Sequence, residues 1–480
     1  MKKLLARILC AAMTIGLLAS CGSNSNPGGA SNQPSSGGGS DLVSSGSGYK
    51  DTVIIGVSQT CQTPDAQMAT DVGGKIITKM LHLPLIFLNT ETNELQPGVA
   101  EDWVQTGERS YVFHLREGMK FHNGEDVKAS DVVYTFTRGM DNAGTKSVLG
   151  QIESCTAVDD ATVELVLKAV DVDYLTKIVD PLYSILSEKA CTEDPDNGGS
   201  IGCGPYVLDE FVLNDYVTMH KFEEYWDADN LKTNHFKFRY IPENSARLIA
   251  LQNGEIDVCM NPATIETPYI ADDGNLVLNQ MSGSRVSYLS FNMNSDIGKN
   301  EKLRQAIACA VNKEDIITVA AEGAGTPAKS FWSLTLLGYY DGFEGFSYDL
   351  DRAKQLMFEA GYPNGLTNYI KQGAHTMLYN GRSYGATVEG PRKVFVTGLD
   401  SNDALYSNPR VDELFAAAGT ITDVAQRESM YKEVQEILGE QVPYIPLYYN
   451  VIYWGTNKNF SNVMTQTGGI FYYAYSYVTE

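Results

Sequence analysis

The sequence is poor in the residues that build metal sites and covalent chemistry. Its six histidines stand singly, no HExxH occurs, and none of the eight cysteines forms a CxxC pair, so a zinc site has little support and no metal ligand set or cofactor is expected. No nucleophile can be placed by motif beside a base and an orienting group, which makes an enzyme the weakest class of reading. Positive charge is scarce too: 36 Lys and Arg stand against 59 Asp and Glu, a formal charge of −23. So acidic a body excludes nucleic acid and anionic lipid surfaces as partners. Its plain consequence is solubility, and a preference for cationic ligands is the narrower alternative.

One long apolar run is present, Ile8 to Leu18, and it lies near the start. It is too short for a membrane span, which needs about 20 apolar residues. Lys2, Lys3 and Arg7 precede it and Ala19-Ser20-Cys21 follow, the order of an export signal. Leu18-Ala19-Ser20-Cys21 resembles the bacterial lipobox, which implies a signal peptide at 1–20 and a diacylglyceryl group on the Cys21 thiol. Several acyl chains at ~0.8 kcal/mol per buried CH₂ would anchor the protein to a membrane. Residues 21–48 are largely Ser and Gly, a tether that buries nothing. Such a coil reaches on the order of 30 Å. Loss of the three basic residues with the signal deepens the charge to −26.

About 430 residues remain, more than one core usually holds, so two or three domains are expected. Six cysteines stay in this part. Cys191 and Cys203 could bridge or stay as thiols, while Cys259 and Cys309 sit in apolar strand-like and helix-like settings that suit small buried hydrophobes. Helix starts are read at Asn312, Asp349 and Asp423, the last followed by Met430, Tyr431, Val434, Ile437 and Leu438 at helical spacing. Tyr111 to Leu115 and Thr162 to Leu167 alternate as strands do. Elements of both kinds run throughout, giving an α/β or mixed α+β class. The C-terminal aromatics, Tyr444, Tyr448, Tyr449, Tyr453, Trp454, Tyr472, Tyr473, Tyr475 and Tyr477, suit strands by β-propensity or a ligand cleft by their polar tips.

From about Asp51 onward the chain resembles the family 5 extracellular solute-binding proteins, the peptide and nickel receptors of ABC importers. Ala100-Glu101-Asp102-Trp103, then Leu115-Arg116-Glu117-Gly118-Met119-Lys120-Phe121 and Asp131-Val132-Val133, carry the best match. Gly202-Cys203-Gly204-Pro205-Tyr206, Leu303-Arg304-Gln305-Ala306, Ala360-Gly361-Tyr362-Pro363 and Pro443-Tyr444-Ile445-Pro446 follow in the family's order. Arg116 beside Glu117 is most simply a solvated surface pair.

The resemblance implies a two-lobed periplasmic-binding-protein-like fold of three domains. Domain I would take 49–63, 201–291 and 444–480, domain II 64–200, and domain III, the second lobe, 292–443. That lobe reads as shortened: after Gly365-Leu366-Thr367 the family's next strand, helix and strand are missing, roughly forty residues and enough for a βαβ unit. Met377 to Gly385 then matches the family's strand and loop, with Arg382 in place of a Trp and without the Asp that pairs with a peptide's α-amino group. The lobe would thus close weakly or take another ligand.

Candidate ligand contacts are Gln59 and Thr60 in the loop after the first strand, Asn380, Arg382, Ser383 and Tyr384 after the later one, Phe331 and Trp332 as stacking aromatics, and Asp400 as the remaining amine partner. For each loop the competing reading is a solvated turn, and for the aromatics it is core packing. Arg382 would favour a carboxylate. The implied function is a monomeric, lipid-anchored, extracytoplasmic receptor that passes a di- or oligopeptide to an ABC permease and its ATPase. A nickel chelate, haem or oligosaccharide ligand is the alternative, with His375 as the one histidine near the matching loops, and a surface sensing or adhesion lipoprotein is another.

Overall fold

The computed structural model describes residues 48–89, 94–334, 336–342, 345–364, 377–383, 387–466 and 470–480. The signal, Cys21 and nearly all of the tether, the stretch around His375, and Tyr384 lie outside the described residues.

Local sequence rules account for the elements. In the strand Ser110–Leu115, Tyr111, Phe113 and Leu115 turn inward while the residues between them are half-exposed. This strand pairs with Ala100–Gly107 and Thr162–Leu167, and Ile152–Ala157 completes a four-stranded antiparallel sheet. The helix Ala129–Met140 packs on it. The expected helix starts are present as caps: Asn312, Asp349 and Asp423 accept backbone N–H groups at the heads of Lys313–Ala320, Leu350–Glu359 and Val424–Gln441. The first and last of these C-terminal aromatics lie in strands, Tyr444 to Trp454 in Tyr444–Asn457 and Tyr477 in Tyr477–Val478, so β-propensity accounts for most of that enrichment.

A second, nine-stranded sheet runs in the order Met377–Ser383, Leu276–Phe291, Tyr444–Asn457, Val258–Met260, Thr52–Val57, His235–Tyr240, Tyr216–Lys221, Tyr206–Val212, with Gly325–Pro327 beside Tyr444–Asn457. Thr52–Val57 is parallel to both its neighbours, and the other pairings are antiparallel. Two long strands carry this sheet across the molecule. Leu276 to Ser282 pair with Val451 to Asn457, and Val286 to Ser290 pair with Tyr444 to Tyr449, with a break in register between Ser282 and Val286. The break is bridged by Asn450, whose Oδ1 accepts the Arg285 N–H at 3.0 Å. A Cβ on Gly283 would stand 2.3 Å from that side-chain amide, which would have to turn aside.

The apolar cores change at the break. Before it lies one large cluster that joins the small sheet, the helix Val72–Leu81 and the strands from Thr52 to Met260, with a satellite around Leu248 and Ile270. Beyond it, Val286, Tyr288 and Tyr449 face one cluster and Phe291, Ile445 and Leu447 another, on opposite sides of the strands. The result is a mixed α/β fold of two lobes joined by crossing strands. All six cysteines within the described residues are free thiols, Cys191 and Cys203 included. Arg116 departs from the expected solvated pair with Glu117: its guanidinium lies 4.1 Å over the ring of Trp226, because Trp226 is partly exposed and offers a face to the cation.

Candidate functional site

In the first lobe, the loop Gln59-Thr60-Cys61 leaves the end of Thr52–Val57. Thr60 Oγ1 donates to the Cys61 carbonyl at 3.1 Å and accepts the Asn214 N–H at 3.3 Å. Gln59 is exposed and Cys61 is buried. The loop is seated on the first turn of the helix Val72–Leu81. A Cβ on Gly73 would stand 2.7 Å from the Thr60 carbonyl oxygen and 2.9 Å from that of Gln59, so glycine is required for this approach. Gly73 was not legible as a site residue. Its only signal was a Gly-Gly pair inside a helical pattern. Beneath the loop a crevice of about 20 Å³, lined in part by Cys61, Ile76 and Phe238, holds no more than a water molecule.

In the second lobe, Met377–Ser383 is the edge strand, with Arg382 opposite Val286 and Asn380 opposite Tyr288. Residues two apart on a strand share a face, so Asn380 and Arg382 project together. They converge on Asp403. Its Oδ2 accepts from Arg382 Nη2 at 3.0 Å, from Tyr288 Oη at 3.3 Å and from Asn380 Nδ2 at 3.3 Å. Arg382 Nε also donates to Tyr288 Oη at 3.1 Å. Burial opposes the Arg382 charge, but the hydrogen bonds to Asp403 and Tyr288 outweigh it and raise its pKa above the usual guanidinium value. The Arg382 and Asp403 side chains keep 30% and 22% of their surface exposed, so the pair is accessible.

Asp403 is thus the acid that meets Asn380 and Arg382. Asp400 is exposed in the turn after Gly398, and no hydrogen bond links it to the cluster among the described residues. Phe331 and Trp332 are buried, at 5% and 0% exposure. The Phe331 ring packs against Tyr288, Phe395 and Tyr444 at centroid distances of 5.0–5.1 Å. Trp332 stacks on Phe415 and donates its Nε1–H to the Leu337 carbonyl. Core packing, the bland alternative, is what the structure holds for both rings, since the crossing strands and the helix Val424–Gln441 close over them. Ser383 ends the edge strand.

The lobes also touch away from the crossing strands. Arg427, in the helix Val424–Gln441, pairs with Asp173, and the Val172 N–H reaches the Gly419 carbonyl at 3.4 Å. Burial works against the Arg427 charge and the Asp173 carboxylate more than restores it. Among the described residues no group of three or more His, Cys, Asp or Glu is arranged to hold a metal ion, and no helix is long and apolar enough to cross a membrane.

Two lobes on crossing strands, with polar side chains gathered where the sheet passes between them, define a solute-binding protein. The family model described as bacterial extracellular solute-binding proteins, family 5 Middle, matches residues 94–389, and the chain belongs to that family. Among curated relatives, heme-binding protein A of Haemophilus influenzae is 26% identical over 444 residues, covering 76% of this chain and 81% of the relative. The glutathione-binding protein GsiB of Escherichia coli K12 is 25% identical over 476 residues, covering 87% and 93%. Among solved structures, HbpA2 from Haemophilus parasuis aligns with a TM-score of 0.81 at 20% identity, over 89% of this chain and all of that one. DppA from Helicobacter pylori in complex with the peptide STSA aligns with a TM-score of 0.75 at 23% identity, over 89% and 98%. These likenesses establish the fold.

Proposed function

We propose that the protein is the membrane-anchored receptor of an ABC importer, that it captures a di- or oligopeptide between its lobes, and that it delivers the ligand to a permease. Family membership carries the importer role. Relatives named for glutathione and for a bound tetrapeptide support a peptide-type ligand, and the relative named for heme keeps haem as the second reading. Cys21 bears the lipid, and the tether keeps the receptor near its permease, raising its effective concentration there.

In this reading the three domains are arranged as the family resemblance implies, and the break at Gly283 to Arg285 is the hinge. Gln59 and Thr60 meet ligand from the first lobe, and Asn380, Arg382 and Asp403 meet it from the second, with Ser383 and Tyr384 as further candidate contacts. Phe331 supports Tyr288 from behind. The Asp173–Arg427 pair forms as the lobes shut and so favours the closed state. A ligand that binds only the folded protein stabilises it by RT ln(1 + [L]/Kd), about 2.7 kcal/mol at a hundredfold excess over Kd. A thermal-shift screen of di- to pentapeptides and haem should raise the melting temperature with peptides. A shift with haem alone would transfer the assignment to the second reading, and retention of a Cys21→Ala variant in the membrane fraction would refute the anchor.

A further inference from the structure

The sequence holds five Asn-Gly pairs, beginning at Asn123, Asn197, Asn253, Asn364 and Asn380. An asparagine side-chain amide is open to attack by the backbone nitrogen of the next residue, and a glycine there, with no Cβ, hinders the approach least. The fold separates the pairs. The Gly124 N–H donates to the Phe121 carbonyl at 2.8 Å, the Gly198 N–H to the Asp194 carbonyl at 2.7 Å and the Gly254 N–H to the Leu251 carbonyl at 3.1 Å. In these three the attacking nitrogen is committed to a backbone carbonyl. The glycine after Asn364 lies outside the described residues.

At Asn380 the arrangement differs. The Gly381 N–H donates to Asn380's own Oδ1 at 2.8 Å, so the side chain is folded back over the nitrogen that follows it. Its Cγ lies one C=O bond, about 1.2 Å, from that oxygen. Nδ2, the group that would leave, donates to Asp403 Oδ2 at 3.3 Å and so fixes the orientation of the amide.

Two surrounding features act in the same direction. Met377–Ser383 is the last strand of its sheet, and with a neighbour on one side only its backbone has room to turn. The Arg285 guanidinium lies against Gly381, where a Cβ would stand 2.7–2.9 Å from its Nη2, Nε and Cζ. A cation there stabilises the negative charge that develops as the Gly381 nitrogen gives up its proton.

We infer that Asn380 is a self-modification site, at which the edge strand converts its own asparagine to aspartate or isoaspartate. Gly381 N bonds to Asn380 Cγ, the Cγ–Nδ2 bond breaks, and ammonia leaves. The Gly381 amide proton passes to solvent, and water supplies the proton that ammonia carries away. A water molecule then opens the five-membered imide at either carbonyl, so that in sum one amide and one water give one carboxyl group and one ammonia. The new carboxylate stands beside Asp403, and Arg382 faces two acids instead of one. The cluster gains a negative charge, which disfavours an anionic ligand group and favours a cationic one. The conversion needs no ligand and so stands apart from the receptor reading.

Peptide mass mapping of the full chain tests it, with one sample incubated folded in mildly alkaline buffer and a parallel one in concentrated urea. In the folded protein Asn380 should gain one mass unit about tenfold or more faster than Asn123, Asn197 and Asn253. In urea, where the Asn-Gly sequence acts alone, the four rates should converge. The comparison needs no variant, so a folding defect cannot mimic it. A folded rate at Asn380 equal to or below those of the other three, or a ranking that urea leaves unchanged, overturns the site.

Discussion

Buried guanidinium groups are held by hydrogen bonds in both lobes, fully buried Arg247 of the first by five, and the lobes differ in their buried amine and imidazole groups. In the second, buried or half-buried guanidinium groups are paired: Arg304 donates to the carbonyls of Gln441 and Val442 at the end of the helix Val424–Gln441, and Arg382 and Arg427 each hold a carboxylate. In the first, Lys79 Nζ and the Nδ1 atoms of His82 and His122 are buried with no hydrogen-bond partner. Burial pushes Lys79 down to about 7, although Asp180 works the other way. It also pushes His82 down to about 4 and His122 to about 3, against hydrogen bonds to the Pro64 and Gly204 carbonyls and, for His82, the nearby Asp65 carboxylate. The main core of the first lobe is large and has a smaller satellite beside it. The second divides its apolar residues between the two faces of the crossing strands, so each cluster is smaller and loses proportionally more from any one defect.

The sharpest way to break this contrast is Trp332→Ala. Emptying a fully buried indole should cost about 3–5 kcal/mol, and hydrogen exchange should quicken in Val424–Gln441 while Ser110–Leu115 stays protected. Equal loss of protection in both lobes would mean that they unfold as one unit.

Acidity provides the next test. The unfolded chain protonates histidine near 6.5 whereas the folded chain does so only near 4 and 3, so stability should decline as pH falls from about 6.5 and level off below about 3. Lys79 acts in a higher window: stability should rise between pH 7 and 10.5 as the unfolded chain alone stays protonated. Lys79→Met should stabilise the protein at neutral pH by roughly 2–4 kcal/mol and flatten that upper limb. Calorimetric melting from pH 4 to 10 reads both effects, and a Lys79→Met curve parallel to that of the parent would contradict the assignment.

Gly73→Ala is expected to cost roughly 1–3 kcal/mol, because its methyl group meets backbone carbonyls that cannot swing aside. The displaced Gln59–Cys61 loop should also weaken ligand binding, and unchanged affinity at a lowered melting temperature would remove that loop from the site. The smallest effect belongs to the seam. Arg427→Met should shift the balance of open and closed lobes by about 1–2 kcal/mol and enlarge the radius of gyration of the free protein, as small-angle scattering can measure. No change would mean that the Asp173 contact does not bear on closure.

Much of the fold was legible because it rests on neighbours in the chain. Asn312, Asp349 and Asp423 cap helices through N–H groups two or three residues ahead, and the burial of Tyr111, Phe113 and Leu115 follows from a two-residue period. The site was less legible. Asn380 and Arg382 were expected just after a short strand and lie within it, in Met377–Ser383, and Asp400 was the acid expected near them. Nothing in the sequence distinguishes two aspartates three positions apart on a turn until Asn402 and Tyr444 orient that turn. The burial of Phe331 and Trp332, and the stacking of Arg116 on Trp226, depend likewise on partners far away in the chain.

By itself, then, the sequence determined the family, the mixed α/β class and the starts of the helices, since these follow from motif order, alternation and local hydrogen bonding. Only the tertiary structure decided that the two long strands break register at Gly283, that Asp403 rather than Asp400 meets Arg382, and that Gly73 seats the Gln59 loop. Each of those depends on atoms brought together across many tens of residues, where sterics and charge act at a few ångströms and no local pattern records them.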